Sequence, residues 1–389
     1  MSYSDAPSTP DALAALPLRE NLRGLSPYGA PQLDVPVTLN TNENTHPVPD
    51  EVVAAIRDSV TQAASSLNRY PDREFTGLRQ RLAEYLGYGL TENHVWAANG
   101  SNEILQQLLQ AFGGPGRTVM SFPPTYSMYP LLAAGTDTSY LSGLRGPGFS
   151  LTAESAAAQV AEREPNLVLL CSPNNPTGTA LGLDVVEAVY AATESFKGMV
   201  IVDEAYAEFA LAGTESALSL LPGRPRLVVT RTMSKAFALA GARLGYLAAA
   251  PEVSDALRLV RLPYHLSAVT QATAIAALEH YGVLLENVED IKRQRDRIVE
   301  GLKGIGLEPA VSDSNFVFFG GLDDAHATWQ ALLDRGVLVR DVGIPHHLRV
   351  TAGTEAETTA FLDAMADVIG RLDHRSPQPF PTTDRPARS

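Results

Sequence analysis

The sequence predicts an α/β fold, with a large domain built on a mostly parallel sheet covered by helices and a smaller α+β domain after it. Short apolar, β-branched runs alternate with helical patterns, as expected of βαβ units. Near residue 270 this alternation gives way to a long helical pattern and shorter strands. The 389 residues are 45% hydrophobic, which is enough for a large core and for two domains.

Each element follows from its own pattern. The buried strands of the large domain are predicted at 117–121, 166–171, 199–202 and 227–230, each followed by a helix-like stretch. In the smaller domain, a long helix is predicted at 272–301 and strands at 314–319, 337–340 and 348–350. The predicted organisation is therefore an N-terminal arm at 1–45, a large domain at 46–268, a small domain at 269–373 and a tail at 374–389. The tail is rich in proline and polar residues and is expected to be disordered.

Composition excludes several classes of function. The 30 Lys and Arg against 44 Asp and Glu give a net charge of -14, which argues against a nucleic-acid partner. No apolar run is long enough to span a membrane. The single cysteine, with no Cys/His cluster of metal-ligand spacing, predicts neither a disulfide nor a metal site. Because no basic segment followed by an apolar stretch opens the chain, no secretory signal is expected, and the expected location is cytoplasmic.

Lys235 is the first candidate for chemistry, since ligands of parallel sheets bind beyond the carboxyl ends of the strands. It follows the run at 227–230, with hydroxyls at Thr232 and Ser234 and a guanidinium at Arg243. A lysine at this position can form a Schiff base with a carbonyl cofactor. The neighbouring hydroxyls and arginine would bind a phosphate. If Lys235 is considered without its neighbours, the alternative to a Schiff-base lysine is an ordinary solvent-exposed lysine in a loop.

Three other strand ends carry polar residues. Asp203 ends an apolar run, where a buried carboxylate needs a partner such as a pyridinium N–H; a helix N-cap or an arginine pair fits equally well. Ser101 and Asn102 begin a helical stretch and could bind an anion, or simply cap that helix. Asn175 lies in the turn-forming segment at 172–178, from which its amide could enter the crevice.

Together these segments resemble the pyridoxal-phosphate aminotransferases of the aspartate-aminotransferase fold (fold type I). The resemblance rests on Pro-Asn-Asn-Pro-Thr-Gly at 173–178, Asp-Glu-Ala-Tyr at 203–206 and Ser-Lys at 234–235 with its downstream arginine. Each of these motifs alone is weak evidence for the family, but the three together are specific for it. The chain is further similar to the histidinol-phosphate aminotransferases, especially the actinobacterial form, through the segments at 26–33, 39–44, 68–73, 98–103, 232–246 and 338–343. One departure is Thr45, where that pattern has proline.

The resemblance implies a homodimeric enzyme with shared active sites and pyridoxal 5'-phosphate as its cofactor. The implied reaction is transamination of L-histidinol phosphate with 2-oxoglutarate, giving imidazole acetol phosphate and L-glutamate in histidine biosynthesis. Lys235 would bind the cofactor and then carry the proton, and Asp203 would pair with the pyridine nitrogen. Asn175 and Tyr206 would bind the cofactor's 3-oxygen, and Tyr126 would stack on its ring.

The remaining implied contacts are with anions and with the substrate. The phosphate ligands would be Ser101, Asn102, Ser234 and Arg243, with Thr232 as a weaker candidate and Tyr70 from the neighbouring subunit. The substrate ligands would be Arg349 for the α-carboxylate, Arg340 as an additional anion-binding group, Asn315 and Tyr28. Three of these have ordinary alternatives: a surface salt bridge to Asp341 for Arg340, a strand-start cap for Asn315 and a turn tyrosine for Tyr28.

Other functions fit parts of the pattern. An aromatic amino acid aminotransferase of the same fold needs a similar apolar pocket, and a decarboxylase or cobalamin-pathway enzyme could use the same scaffold. A catalytically silent regulatory domain is opposed by the intact Lys235 and by the absence of a basic N-terminal domain. A nicotinamide dehydrogenase is opposed by the lack of a GxGxxG motif after the first strand.

Overall fold

The computed structural model describes residues 15–373, so the predicted tail at 374–389 and the first part of the predicted arm lie outside the described residues. The helices are α1 Asp50–Ala64, α2 Thr76–Leu86, α3 Ser101–Phe112, α4 Met128–Gly135, α5 Ala153–Arg163, α6 Leu183–Ala192, α7 Pro251–Val260, α8 Ala268–Glu279, α9 Tyr281–Gly304, α10 Ala325–Leu333 and α11 Glu355–Asp373. The strands are β1 Val37–Thr38, β2 Val95–Ala98, β3 Thr118–Ser121, β4 Ser139–Ser142, β5 Leu167–Cys171, β6 Met199–Asp203, β7 Leu227–Thr232, β8 Gly245–Ala249, β9 Glu308–Pro309, β10 Phe316–Gly320, β11 Val337–Leu338, β12 Arg340–Asp341 and β13 Leu348–Thr351.

A seven-stranded sheet runs in the order β2-β8-β7-β6-β5-β3-β4. Its strands pair in parallel except for β8, which is antiparallel to both of its neighbours. The prediction of an α/β fold with a mostly parallel sheet is confirmed, while β8 was not predicted. Both β5 and β6 are buried at every position, because helices cover the two faces of the sheet and leave no face for polar residues.

A four-stranded antiparallel sheet, β12-β13-β10-β9, forms from the later part of the chain. The end of the predicted arm joins this region, since β1 pairs in parallel with β11. The prediction of one long helix at 272–301 is wrong, because the chain forms α8 and α9 there. At His280 the backbone leaves the helical region, with φ -119° and ψ 21°, and its N–H bonds to the Ala277 carbonyl to close α8.

The domain boundaries stay a prediction. The seven-stranded sheet uses residues 95–249, and the four-stranded sheet uses residues 308–351. In the described part of the chain, no helix combines the length and the apolar character needed to cross a membrane. Three parallel strands end side by side at Cys171, Asp203 and Thr232, and the crevice beyond these ends contains the site.

Candidate active site

A cavity of about 420 Å³ opens beyond the carboxyl ends of β5, β6 and β7. This volume lies within the range of small-molecule sites. Most of the residues that the sequence singled out line it: Tyr28, Ser101, Asn102, Tyr126, Asn175, Asp203, Tyr206, Thr232, Ser234, Lys235, Arg243, Arg340 and Arg349. The fold therefore brings together side chains that lie more than 300 positions apart in the sequence.

Lys235 lies in the turn that follows β7. Its Nζ donates a hydrogen bond to the Thr41 carbonyl at 3.2 Å. Burial lowers the pKa of Lys235 to about 8, and the positive charge of Arg349 adds to this, while the Glu43 carboxylate opposes it. A lysine of this pKa is partly neutral near neutral pH and can act as a nucleophile and as a proton carrier.

Asp203 is buried at the end of β6. Its Oδ2 accepts a hydrogen bond from the Tyr129 hydroxyl at 2.9 Å, and its Oδ1 accepts one from Thr230 at 3.2 Å. Burial raises the pKa of Asp203, and the two hydroxyl donors oppose that rise. Each carboxylate oxygen can accept a further bond, so a cationic N–H in the cavity would stabilise the ionised carboxylate.

An anion cradle lies at the N-terminus of α3. Thr232 Oγ1 donates to Ser234 Oγ at 3.0 Å, and Arg243 Nη1 lies 3.4 Å from the same Ser234 hydroxyl. Gly100 precedes the helix with φ +85°, and a Cβ there would lie 2.5 Å from Arg243 Nη2. Glycine adopts this backbone conformation without strain and lets the guanidinium lie beside the N–H groups of Ser101 and Asn102, and these donors together could hold a phosphate-sized anion.

Two tyrosines and one amide line the middle of the cavity: Tyr126, Tyr206 and Asn175. Tyr126 packs edge-on against Tyr28 and Tyr129, with ring centroids at 6.3 and 5.5 Å, and its hydroxyl donates to Asn102 Oδ1. Burial raises the pKa of both Tyr126 and Tyr206, which therefore stay protonated at neutral pH. The single hydroxyl hydrogen of Tyr126 is used by Asn102, whereas Tyr206 accepts a bond from Asn42 and can donate its own hydrogen into the cavity.

Arg349 and Arg340 face each other across the β12–β13 pair as direct register partners. Arg349 is buried; its Nη1 donates to Asn175 Oδ1 at 2.6 Å and its Nη2 donates to the Asn40 carbonyl at 2.8 Å, while its Nε has no partner among residues 15–373. Burial lowers the pKa of Arg349 to about 10, and the charge of Arg340 contributes. Two like charges directly opposite destabilise a sheet unless an anion lies between them.

Arg340 does not form the alternative ion pair with Asp341. The Asp341 carboxylate instead accepts bonds from His326 and from the Gly343 N–H. The Arg340 guanidinium donates only a long bond of 3.4 Å, to the Gly29 carbonyl. Within the described residues it has no carboxylate partner, so its charge is available to a ligand.

Asn315 and Tyr70 do not line the cavity. Asn315 is fully buried behind the cavity wall, where its Nδ2 donates to the Asn42 carbonyl at 3.1 Å. Tyr70 is 79% exposed, and its ring stacks on Tyr264 with the centroids 4.4 Å apart. Its contact with a phosphate in a neighbouring subunit stays a prediction, as does a direct substrate contact for Asn315.

Sequence reasoning missed several residues of the site. Tyr129, which bonds Asp203, lies in a helix whose pattern is that of a core helix, so no signal marked it. The segment 40–43 lines the cavity, although the sequence analysis used it only as part of the family segment at 39–44. Its role depends on contacts with distant parts of the chain, which a sequence pattern does not contain.

The comparisons with known proteins agree with this geometry. A family model described as aminotransferase class I and II matches residues 35–365. The chain is 70% identical over 367 residues to a histidinol-phosphate aminotransferase of Paenarthrobacter aurescens, covering 94% of this chain and 99% of the relative. The crystal structure of a histidinol-phosphate aminotransferase from Sinorhizobium meliloti in complex with pyridoxal-5'-phosphate matches with a TM-score of 0.82 at 26% identity, over 92% of this chain and all of that one. A mutant aspartate aminotransferase of Thermus thermophilus shares the fold, with a TM-score of 0.76 at 24% identity over 90% and 99% of the two chains.

Proposed function

The chain belongs to the class I and II aminotransferase family and, within it, to the histidinol-phosphate aminotransferases, and from this premise we propose its reaction. It transfers the amino group of L-histidinol phosphate to 2-oxoglutarate and forms imidazole acetol phosphate and L-glutamate, a step of histidine biosynthesis. The observation that carries the proposal is the meeting of Lys235, Asp203 and the anion cradle in one cavity.

The residues present fit pyridoxal phosphate. Asp203 keeps acceptor capacity for a pyridinium N–H, and the Arg243 guanidinium lies against Gly100, where a Cβ would force the guanidinium to shift. Lys235 would hold the aldehyde carbon, and Ser101, Asn102, Thr232, Ser234 and Arg243 would hold the phosphate. When bound, the cofactor supplies an electron sink for the negative charge that develops at the substrate Cα.

Each of the chain's own groups would then have a separate role in the reaction. Lys235 Nζ, with its lowered pKa, would become free when the substrate amine takes its place on the aldehyde carbon, and it would then take the proton from the substrate Cα and return it at the neighbouring carbon. Asp203 would keep the ring nitrogen protonated, and Tyr206 and Asn175 would bind the 3-oxygen. Tyr126 would lie against the ring and exclude water from that face.

The paired arginines support a phosphorylated substrate. Arg349 would bind either substrate anion through a bidentate pair, which its guanidinium geometry favours. The uncompensated charge of Arg340 opposite it suits the second negative charge of a phosphate monoester. A carboxylate alone would leave the two like charges less well neutralised.

We also propose a homodimer in the cytoplasm. Exposed apolar side chains cluster where residues 67–74 lie against residues 258–264, and they include Leu67, Tyr70, Leu259, Leu262 and Tyr264. An apolar surface of this kind suits a partner subunit. A twofold copy would bury it and carry Tyr70 toward the second cavity.

Matched transamination assays test the function. The purified enzyme is offered histidinol phosphate or phenylalanine with 2-oxoglutarate, and glutamate or keto-acid formation is followed. A kcat/KM at least tenfold higher for histidinol phosphate supports the proposal, since one extra charge-assisted bond contributes about that much. Equal values would favour the aromatic aminotransferase, for which the Tyr28–Tyr126 pair is the relevant apolar wall. Absence of cofactor absorbance in the visible range would reject both.

A further inference from the structure

Three consecutive residues that precede α1 each contact a different residue of the site. The Asn40 carbonyl accepts from Arg349, the Thr41 carbonyl accepts from Lys235, and the Asn42 side chain donates to Tyr206. The first two contacts use backbone atoms, which any residue type provides. The third needs an amide, so it depends on the identity of residue 42.

Asn42 is 2% exposed and has a left-handed backbone with φ +56°, a conformation that asparagine tolerates. Its backbone N–H donates to Thr351 Oγ1 at 3.0 Å, and its carbonyl accepts from Asn315 Nδ2 at 3.1 Å. Its side-chain Oδ1 accepts from Thr351 Oγ1 at 3.1 Å, and its Nδ2 donates to the Tyr206 hydroxyl at 3.0 Å. All the polar groups of this buried residue are engaged.

These contacts match one orientation of the amide. Thr351 Oγ1 accepts the Asn42 backbone N–H and gives its hydroxyl hydrogen to Asn42 Oδ1. In this arrangement the amide NH₂ faces Tyr206. Because the Tyr206 oxygen receives a hydrogen there, its own single hydrogen is left to donate elsewhere, and Tyr206 lines the cavity.

We propose that Asn42 is a positioning residue that directs the Tyr206 hydroxyl hydrogen into the cavity, toward the 3-oxygen of bound pyridoxal phosphate. This inference rests on the proposed function. The Asn42 bond opposes the rise in the pKa of Tyr206 that burial causes. The other titratable groups that act on Tyr206 are Arg349, Cys171, Asp203, Lys235 and Tyr126, and the Asn42 and Thr351 variants below leave all five in place.

The test is Asn42→Asp, which keeps the shape and the tolerance for a left-handed backbone but replaces the donor with an acceptor. A carboxylate would draw the Tyr206 hydrogen away from the cavity. The readout is the pH midpoint of the visible absorbance change of pyridoxal phosphate bound to the purified enzyme, together with the Kd of the apoenzyme for the cofactor. Because a hydrogen bond to the 3-oxygen favours its ionised form, Asn42→Asp should raise this midpoint by about one pH unit.

Two further variants isolate the cause. Asn42→Gly keeps the backbone conformation and removes the donor, together with the Oδ1 that accepts from Thr351, without adding a charge, so it should give a smaller rise in the same direction. Thr351→Val removes the hydroxyl that orients the amide and should also raise the midpoint, which keeps the test open if Asn42→Asp does not fold. Asn44→Asp is the charge control, since it adds the same charge on the same segment without touching Tyr206, and its midpoint should change far less.

A double-mutant cycle decides whether the effect passes through Tyr206. In a Tyr206→Phe enzyme, Asn42→Asp should shift the midpoint no further than Asn44→Asp does. An equal shift with and without the Tyr206 hydroxyl, or no shift in a folded Asn42→Asp enzyme that binds cofactor, overturns the inference alone. A wild-type enzyme that binds no cofactor overturns the proposed function and the inference with it.

Discussion

The Tyr129 hydroxyl donates a hydrogen bond to Asp203 Oδ2 at 2.9 Å, although the two residues lie 74 positions apart in the sequence. Both side chains are buried, so this bond forms in a region of low polarity. It opposes the rise in the pKa of Asp203 that burial causes. The ionised form of the carboxylate that faces the cavity is therefore favoured partly by a residue outside the cavity lining.

Replacing this donor should weaken cofactor binding. In Tyr129→Phe the pKa of Asp203 rises further, and its pairing with a cationic N–H weakens. A hydrogen bond to a charged group contributes about 1.5–3 kcal/mol, so the Kd of the apoenzyme for pyridoxal phosphate should rise roughly ten- to hundredfold. Titration of the apoenzyme, followed by absorbance, measures it. The control is Tyr140→Phe, whose hydroxyl bonds Ser121 outside the cavity lining and whose loss should leave Kd unchanged. Equal Kd values for both variants would contradict the expectation.

The lowered pKa of Lys235 predicts a pH profile for the apoenzyme. With a pKa of about 8, about a tenth of this amine is neutral at pH 7, and the neutral fraction rises with pH until it levels off above 9. The rate at which the apoenzyme takes up pyridoxal phosphate should follow this curve, because only the neutral amine is nucleophilic. Stopped-flow absorbance from pH 6 to 10 measures it, with N-acetyl-lysine as the reference. A rate that still rises about tenfold per pH unit between pH 8 and 9, as for an unperturbed lysine with a pKa of about 10.4, would show that the cavity does not activate Lys235.

Arg340 and Arg349 should differ in their effect on substrates. Arg340→Ala is expected to raise the KM for histidinol phosphate roughly ten- to hundredfold and to leave phenylalanine transamination little changed. Arg349→Ala should impair every substrate, glutamate included, if Arg349 binds the anion that all the substrates carry, as we propose. Arg340→Lys should recover only part of the loss, because an ammonium lacks the fork geometry. The measurement is kcat/KM for each variant with each substrate. If Arg340→Ala lowers kcat/KM equally for phosphorylated and unphosphorylated substrates, Arg340 has a structural role and does not bind the phosphate.

Two impaired variants should complement each other if the active site is shared between subunits. Lys235→Ala is expected to abolish turnover and the visible cofactor band while circular dichroism stays unchanged. Tyr70→Ala is expected to impair turnover by removing a phosphate contact from the partner. Mixed dimers would contain one site with both native residues, so activity should reappear after mixing. If proven subunit exchange restores nothing, Tyr70 acts only through its stacking on Tyr264.

Much of the fold and of the site followed from local pattern. The apolar runs that became β3, β5, β6 and β7 are buried on both faces, and such strands carry a continuous hydrophobic signal. Strand-end polar residues such as Asp203 and Lys235 could be singled out because parallel sheets present ligands at that edge. The break at His280 could not be predicted, because neither proline nor glycine stands at this position and only the backbone angles end α8.

The tertiary structure decided which of these residues meet. The sequence determined the residue types at the strand ends and the sheet that would carry them. The placing of Arg340 opposite Arg349 depends on the register of two short strands, and the bond from Asn42 to Tyr206 joins residues 164 positions apart. Contacts of this kind are set by how separate elements pack, and packing depends on the whole set of buried surfaces at once. No local periodicity encodes them, so Tyr129 and Asn42 became visible only when the chain was folded.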